Sequence, residues 1–264
     1  MPNPAPQLGE SDYLRFCMSN AEDGEGAVAA MTEQFASLQP QAIVIFAGTN
    51  LGEIAQGLRQ NFPACPIIGC STAGEISESA FTTNTVSSFA LGKPARVATR
   101  PVANLTTFRY EQGAEILVAL CHDLGVSLEE LLAEPERFVF LILADGLSGR
   151  EEVLIASLMA LVPEVKLVGG SAGDNFAFEQ TQVTWNGEVY PHGAVVMLLQ
   201  PEKNFRVFAG HHYAPTDQTV VVTSADPEKR LIHRIDGRPA NVFAAEAIGI
   251  TTAELAEQEI SAPL

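Results

Sequence analysis

The segment Val165 to Asn175, V-K-L-V-G-G-S-A-G-D-N, has a near copy at Pro66 to Glu75, P-I-I-G-C-S-T-A-G-E, so the chain must fold as two related halves. In each copy aliphatic residues run into a glycine, a serine follows two positions later, and a glycine and a carboxylate close the turn. Gly69, Ser71, Gly74 and Glu75 stand against Gly169, Ser171, Gly173 and Asp174. The copy extends upstream, where I-V-I-F-A-G-T-N from Ile43 parallels V-F-L-I-L-A-D-G from Val139. Matching Gly48 with Gly146 gives an offset of 98, and Gly69 with Gly169 an offset of 100, the mark of an internal duplication.

Each copy reads as a β-α-β unit. In the first, Ala42–Ala47 is a continuous apolar run of strand length, Leu51–Asn61 has helical period, and Pro66–Gly69 is apolar again. In the second, Phe138–Leu143 is the strand, Ser148 caps a helix favoured by Glu151 and Glu152, and Val165–Gly169 returns. Two parallel strands need a crossover of ten or more residues, and both intervals supply one. Ahead of the first unit, Tyr13–Met18 reads as a strand, and Val28, Met31, Phe35 and Leu38 mark a helical face that Pro40 ends. Between the units, Thr85–Leu91 and Arg96–Val102 read as a hairpin through G-K-P, then come a helix at Glu111–Leu124 and a capping box at Ser127 and Glu130. After Asn175 the pattern is strands alone, Gln182–Trp185, Gly193–Leu199, Phe205–His211 and Val220–Thr223, with N-G-E as a hairpin turn. The tail reads as a strand at Leu231–Ile235, a helix opened by Pro239 and another capped by Thr251 or Thr252. The expected class is α/β: two duplicated β-α-β units in a mainly parallel sheet, followed by additional antiparallel strands.

Charge and composition narrow the function. Lys and Arg number 15 against 32 Asp and Glu, a net charge of -17 that repels a phosphate backbone, so nucleic acid is not the expected partner. No apolar run approaches the ~18 residues of a membrane span. Cys17, Cys65, Cys70 and Cys121 form no C-x-x-C pair and the N-terminus has no signal-peptide pattern, which reads as a reducing, cytoplasmic setting.

Gly169–Gly173 matches the G-x-S-x-G nucleophile elbow in letters, with Asp217 and His233 downstream in triad order, which would make Ser171 a hydrolase nucleophile. An elbow requires a helix after the turn, and D-N-F-A-F-E-Q-T-Q-V-T-W reads as a turn and a strand. The favoured reading places ligand contacts at the glycine turns: Cys70, Ser71, Glu75, Asp145, Ser171, Asp174 and Asn175. The competing reading is that the turns only let two sheet halves pack closely, with Cys70 a small buried residue. His122, His192, His211, His212 and His233 include no H-x-x-x-H pair, so a zinc site is not expected, while a single imidazole suffices for non-covalent haem.

The segments P-I-I-G-C-S-T-A-G-E-I, A-D-G-L-S-G, V-G-G-S-A-G-D, W-N-G-E-V, G-A-V-V-M-L-L and I-D-G-R-P-A together resemble the FIST family of sensory proteins over roughly Phe35–Gly249. The resemblance implies a bacterial, intracellular signal-transduction input. It implies a lead-in and first strand at 1–24, an N-terminal FIST domain at 25–224 holding the repeat (about 42–76 and 138–175), and a truncated start of the C-terminal domain at 225–264. One group of relatives is similar to haem-binding nitric oxide sensors that regulate histidine kinases and cyclic-di-GMP enzymes; others are proposed to sense amino acids or other metabolites. In relatives the stretch matching Gly210–Pro215 reads H-G-W-x-P, against G-H-H-Y-A-P here. Likeness to the haem-binding group would imply haem b as cofactor, with His211 and His212 as first axial candidates and His192 third; likeness to the metabolite sensors implies no cofactor.

Overall fold

The computed structural model describes residues 13–20, 22–76, 81–210, 214, 217, 219–227 and 229–257. The chain divides into two compact units, Met1–Val207 and Phe208–Leu264. The sequence boundary at 224/225 instead falls inside a strand of the second unit.

The first unit runs β1 (Leu14–Asn20), α1 (Gly24–Ala36), β2 (Ala42–Ala47), α2 (Leu51–Asn61), β3 (Ile67–Ser71), β4 (Glu75–Ile76), β5 (Phe81–Thr82), β6 (Thr85–Leu91), β7 (Arg96–Val102), α3 (Gln112–Leu124), α4 (Leu128–Ala133), β8 (Val139–Ala144), α5 (Glu151–Met159), β9 (Lys166–Ser171), β10 (Gln182–Trp185), β11 (Glu188–Pro191) and β12 (Ala194–Gln200). Its strands form a six-stranded sheet, β1-β6-β2-β3-β10-β11, and a four-stranded sheet, β7-β12-β8-β9. The duplication is complete: β1-β6-β2-β3 and β7-β12-β8-β9 share order and direction, and in each only the last pair is parallel.

Two mixed sheets thus replace the expected mainly parallel one, while the α/β class and both β-α-β units stand. Each unit contributes one parallel pair through its helical crossover, and the remaining pairs of each four-strand set are antiparallel. The expected hairpin of Thr85–Leu91 with Arg96–Val102 does not form. Both edges of β6 are already bonded to β1 and β2, so the chain passes at Gly92–Ala95 to the other sheet.

Three apolar clusters give four layers. Ala27, Met31 and Phe35 of α1 and Leu51, Ile54 and Leu58 of α2 cover Ile43, Ile45 and Ile67 on the outer face of the six-stranded sheet. Leu117, Leu120 and Leu124 of α3 and Leu154 and Leu158 of α5 cover Phe140, Ile142 and Val196 on the outer face of the other. Between the sheets lie Val44, Ile68 and Cys70 with Leu143, Val183, Val195 and Met197. β2 and β8 are buried on both faces, which is why they read as unbroken apolar runs. Trp185 Nε1 donates across the layers to Thr99 Oγ1 at 2.9 Å.

Local chemistry sets several boundaries. Asp23 caps α1, accepting from Gly26 N–H at 2.9 Å. Asn186 and Gly187, with φ of 54° and 89°, make the tight turn that N-G predicts between β10 and β11. Ser148 does not cap α5: its Oγ donates to the Asp145 carbonyl at 3.2 Å, and the helix starts at Glu151 behind Arg150. Residues 205–210 form no strand, and His211 lies outside the described residues.

The second unit holds a three-stranded antiparallel sheet, β13 (Val222–Asp226), β14 (Leu231–Ile235) and β15 (Arg238–Pro239), then α6 (Ala240–Ile248) and α7 (Thr252–Glu257). Pro239 opens α6, and Thr251 forms a reciprocal box with Glu254, accepting its N–H at 3.2 Å while Thr251 N–H donates to Glu254 Oε2 at 2.8 Å. No helix among the described residues is long and apolar enough to cross a membrane.

Candidate functional site

The carboxyl ends of β2, β3, β8 and β9 are the places where an open α/β sheet exposes backbone and side chains to a ligand. The two glycine turns meet there. Gly173 N–H donates to the Ser71 carbonyl at 2.9 Å and Asn175 N–H to the Thr72 carbonyl at 3.3 Å. A Cβ on Gly173 would lie 2.8 Å from Ala73 N, so only glycine permits this approach. Ser71 Oγ accepts from Gln182 N–H at 2.9 Å, and Asn175 Nδ2 donates to the Gly48 carbonyl at 3.3 Å.

Strand register aligns the halves more closely than the glycine pattern does. Ile45 pairs with Gly69 and Ile142 with Gly169, Ala47 with Ser71 and Ala144 with Ser171. The residue matching Gly48 is therefore Asp145, one place from the Gly146 that sequence matching selects. The neighbouring strand agrees: Gly48 N–H donates to the Thr85 carbonyl at 3.2 Å and Asp145 N–H to the Gly193 carbonyl at 2.8 Å. That makes His192 the counterpart of Asn84, and both have left-handed backbone, with φ of 61° and 56°.

Each half buries one carboxylate at this corner, supplied from different chain positions. In the first half it is Glu75, whose Oε2 accepts from Thr85 N–H at 3.1 Å and Thr85 Oγ1 at 2.7 Å, and whose Oε1 accepts from Thr72 Oγ1. A Cβ on Gly48 would lie 3.1 Å from Glu75 Oε1, so the glycine makes room for that carboxylate. In the second half it is Asp145, with a side chain 1% exposed. Its Oδ1 accepts from Leu147 N–H at 3.0 Å and from Thr181 Oγ1, and its Oδ2 lies 3.1 Å from Nδ1 of His192, whose side chain is 55% exposed. One corner is closed by threonines; the other holds out an imidazole.

Asp174 has a different task. Its carboxylate accepts from Phe178 N–H at 2.9 Å, Glu179 N–H at 2.7 Å and Gln180 N–H at 3.0 Å, fixing a turn that runs up to Thr181. Burial pulls its pKa upward, but the N–H groups of Gln180, Glu179, Phe178 and Ala177 outweigh that and hold it below the usual carboxylate value.

Of the residues singled out in the sequence, Ser71, Glu75, Asp145, Asp174 and Asn175 join this bonded network. Cys70 faces the core between the sheets, where burial pushes its thiol up to about 12. Ser171 is exposed at the end of β9, and a turn rather than a helix follows it, so the elbow context is absent. Asp217 and His233 belong to the second unit. His211 and His212 lie outside the described residues. Sequence reasoning missed Thr72, Thr85 and Thr181, and it did not join Asp145 to His192. The available signal was that the turn alignment leaves Asp145 facing a glycine once the halves are set in register.

Clefts of about 480 Å³ along Gln200–Phe205 and about 350 Å³ along Pro101–Ile116 lie elsewhere on this unit. The second is next to the site, because Leu105 N–H donates to the His192 carbonyl at 2.7 Å. Among the described residues no group of three or more His, Cys, Asp or Glu is placed to hold a metal ion.

A family profile described as the FIST N domain matches residues 41–238. An uncharacterized protein of Methanocaldococcus jannaschii is 23% identical over 194 residues, covering 72% of this chain and 36% of its own length, so the chain spans little more than a third of that curated relative. Among solved structures, a cyanuric acid hydrolase of A. caulinodans aligns with a TM-score of 0.41 at 9% identity, covering 72% of this chain and 71% of the hydrolase, a likeness too loose to carry an argument.

Proposed function

The chain belongs to the FIST family, whose domains are sensory inputs of signal transduction, and from that premise we propose that it senses a small ligand at the strand ends of its second half. One observation carries the reading. The two halves build the same corner, yet the first spends its buried carboxylate on Thr72 and Thr85 while the second uses Asp145 to hold a half-exposed imidazole. A purely structural corner needs no such group, as the first half demonstrates. Asp145 fixes the orientation of His192, and Ser71, Asp174 and Asn175 hold the surrounding turns in place.

The test is a thermal-shift screen against amino acids and other metabolites. A ligand at 100 times its Kd adds about 2.7 kcal/mol to stability, which raises the melting temperature by several degrees. The expected result is a hit that disappears in His192→Asn; no shift across the panel would remove the reading. The output partner in this proposal is the histidine kinase or cyclic-di-GMP enzyme that the sequence resemblance implies.

A second reading, a haem-dependent nitric oxide sensor, is favoured by the same pair. An imidazole whose Nδ1 is held by a carboxylate presents Nε2 for axial bonding. The surroundings fit less well: the ring is 55% exposed, whereas a b-type haem is held in an apolar enclosure. No step is therefore routed through haem. The absorption spectrum of the freshly purified protein separates the readings, a Soret band lost in His192→Asn favouring haem and its absence after reconstitution with haemin excluding it.

A further inference from the structure

Counting back from Asn84 and His192, β4–β5 is the first half's version of β10–β11. Glu75 pairs with Thr82 as Val183 does with Tyr190, and Ile76 with Phe81 as Thr184 does with Val189. The two hairpins differ in what they meet. β10 adds to β3, the edge strand of the other half, and the side of its hairpin that bears Thr184 and Val189 faces α2. Thr184 is buried, and Val189 Cγ2 lies 3.1 Å from where a Cβ on Gly52 would be. In β4–β5 the same two positions hold Ile76 and Phe81, directly opposite each other and 76% and 64% exposed.

The second half has the surface that such a hairpin covers in the first. β9 corresponds to β3, but among the described residues no strand bonds its outer edge. Ile54 and Leu58 of α2 correspond to Leu154 and Leu158 of α5, at the offset of 100 that also joins Gly69 to Gly169. Ala55, Gln56 and Arg59, which surround Gly187 at the tip of β10–β11, thus become Ile155, Ala156 and Met159. Ala55 is fully buried, whereas Ile155 and Met159 are partly exposed and Ala156 is exposed. From Val153 to Met159 α5 is apolar except for the buried Ser157, the pattern of a helix covered on more than one side.

The inner faces of the sheets repeat the contrast. β3 and β10 lie over β8 and β12, and Trp185 of β10 closes over Thr99 of β7, which is 5% exposed. Phe16 of β1 pairs with Phe89 as Thr99 pairs with Met197, and it is 49% exposed. Each half thus lacks a part that the other half has.

We infer that β4–β5 of one molecule adds to the edge of β9 in a second copy of this chain, with Ile76 and Phe81 packing on α5, so that copies meet through the contact that already joins the two halves. Hairpin and edge are different surfaces of the chain, so the contact is heterologous, and successive copies close a ring or extend a series. The inference does not depend on what the corner at Asp145 binds.

Sedimentation velocity of the full chain, from micromolar to submillimolar concentration, is the test. The expected result is concentration-dependent association that is lost in Ile76→Lys, Phe81→Lys and Ala156→Lys, all at exposed positions, with circular dichroism unchanged from the natural protein. Phe81→Lys keeps β9 and α5 intact and Ala156→Lys keeps the hairpin intact, so an equimolar mixture of these two variants recovers association and stops at the pair. A natural chain that stays monomeric throughout overturns the inference, as does association that survives Ile76→Lys and Phe81→Lys combined. Pairing of β9 with β9 about a two-fold axis overturns it as well; Phe81→Lys then associates unaided, and mixing adds nothing.

Discussion

At the residue scale the corner at Asp145 depends on groups that the sequence does not bring together. Asp145 and His192 are 47 positions apart and meet only because β12 returns beside β8. Each could be picked out as a polar residue near a glycine turn or strand end, but their pairing could not, because it follows from strand order. Thr181 carries no sequence signal, being one more threonine before a strand. Its hydroxyl is nonetheless buried and bonded on both sides, to Asp145 and to Gly146 N–H. Thr181→Val leaves a buried carboxylate oxygen and a backbone N–H short of a partner and is expected to cost about 1–3 kcal/mol, measured by urea unfolding. The same substitution at Thr106, an exposed turn residue whose Oγ1 bonds Asn104 Oδ1 at 2.6 Å, should cost less than about 1 kcal/mol.

At the element scale the strands and helices were the legible part, because apolar runs and helical periods are local. α2, β10 and β14 match the residues read from the sequence, Leu51–Asn61, Gln182–Trp185 and Leu231–Ile235. The partition into two sheets was not legible, since Gly92 and Pro94 make a turn whether the next strand folds back or passes to another layer. The two-residue strands β4 and β5 are too short to show a period. A test belongs to β9, where adjacent glycines differ in what they do. Gly169 has φ of 153°, and a Cβ there would lie 1.9 Å from the Ile142 carbonyl oxygen; around Gly170 nothing lies within 4 Å. Gly169→Ala should therefore lose about 2 kcal/mol or more in chemical denaturation, and Gly170→Ala should change stability by less than about 0.5 kcal/mol.

At the scale of the whole molecule, the cysteines tie stability to alkaline pH. Burial raises the thiols of both Cys65 and Cys70 from 9.0 to about 12, with Arg59 pulling Cys65 partly back. Below pH 9 both thiols are protonated folded or unfolded; as pH rises from 9 to 12 the unfolded chain ionises first, so this stability is lost across that window. The loss is at most about 1.4 kcal/mol per pH unit for each thiol. Urea midpoints at pH 8, 9.5 and 10.5 should fall more steeply for the natural protein than for Cys70→Ala, and parallel slopes would show that the thiol is not responsible. The duplication also has a temporal consequence. The hairpin β10–β11 arises in the second half but completes the sheet of the first, with Val183 set against Cys70. During synthesis the first half therefore waits with the edge of β3 bare until residue 191 has emerged, a long-range contact of the kind that slows folding and exposes an unpaired strand. A fragment ending at residue 103 should aggregate where the fragment 13–207 folds, as light scattering and circular dichroism would register. The repeats are not two modules in tandem: the first is not finished by its own residues, and it is the one that must be kept from other chains while it waits.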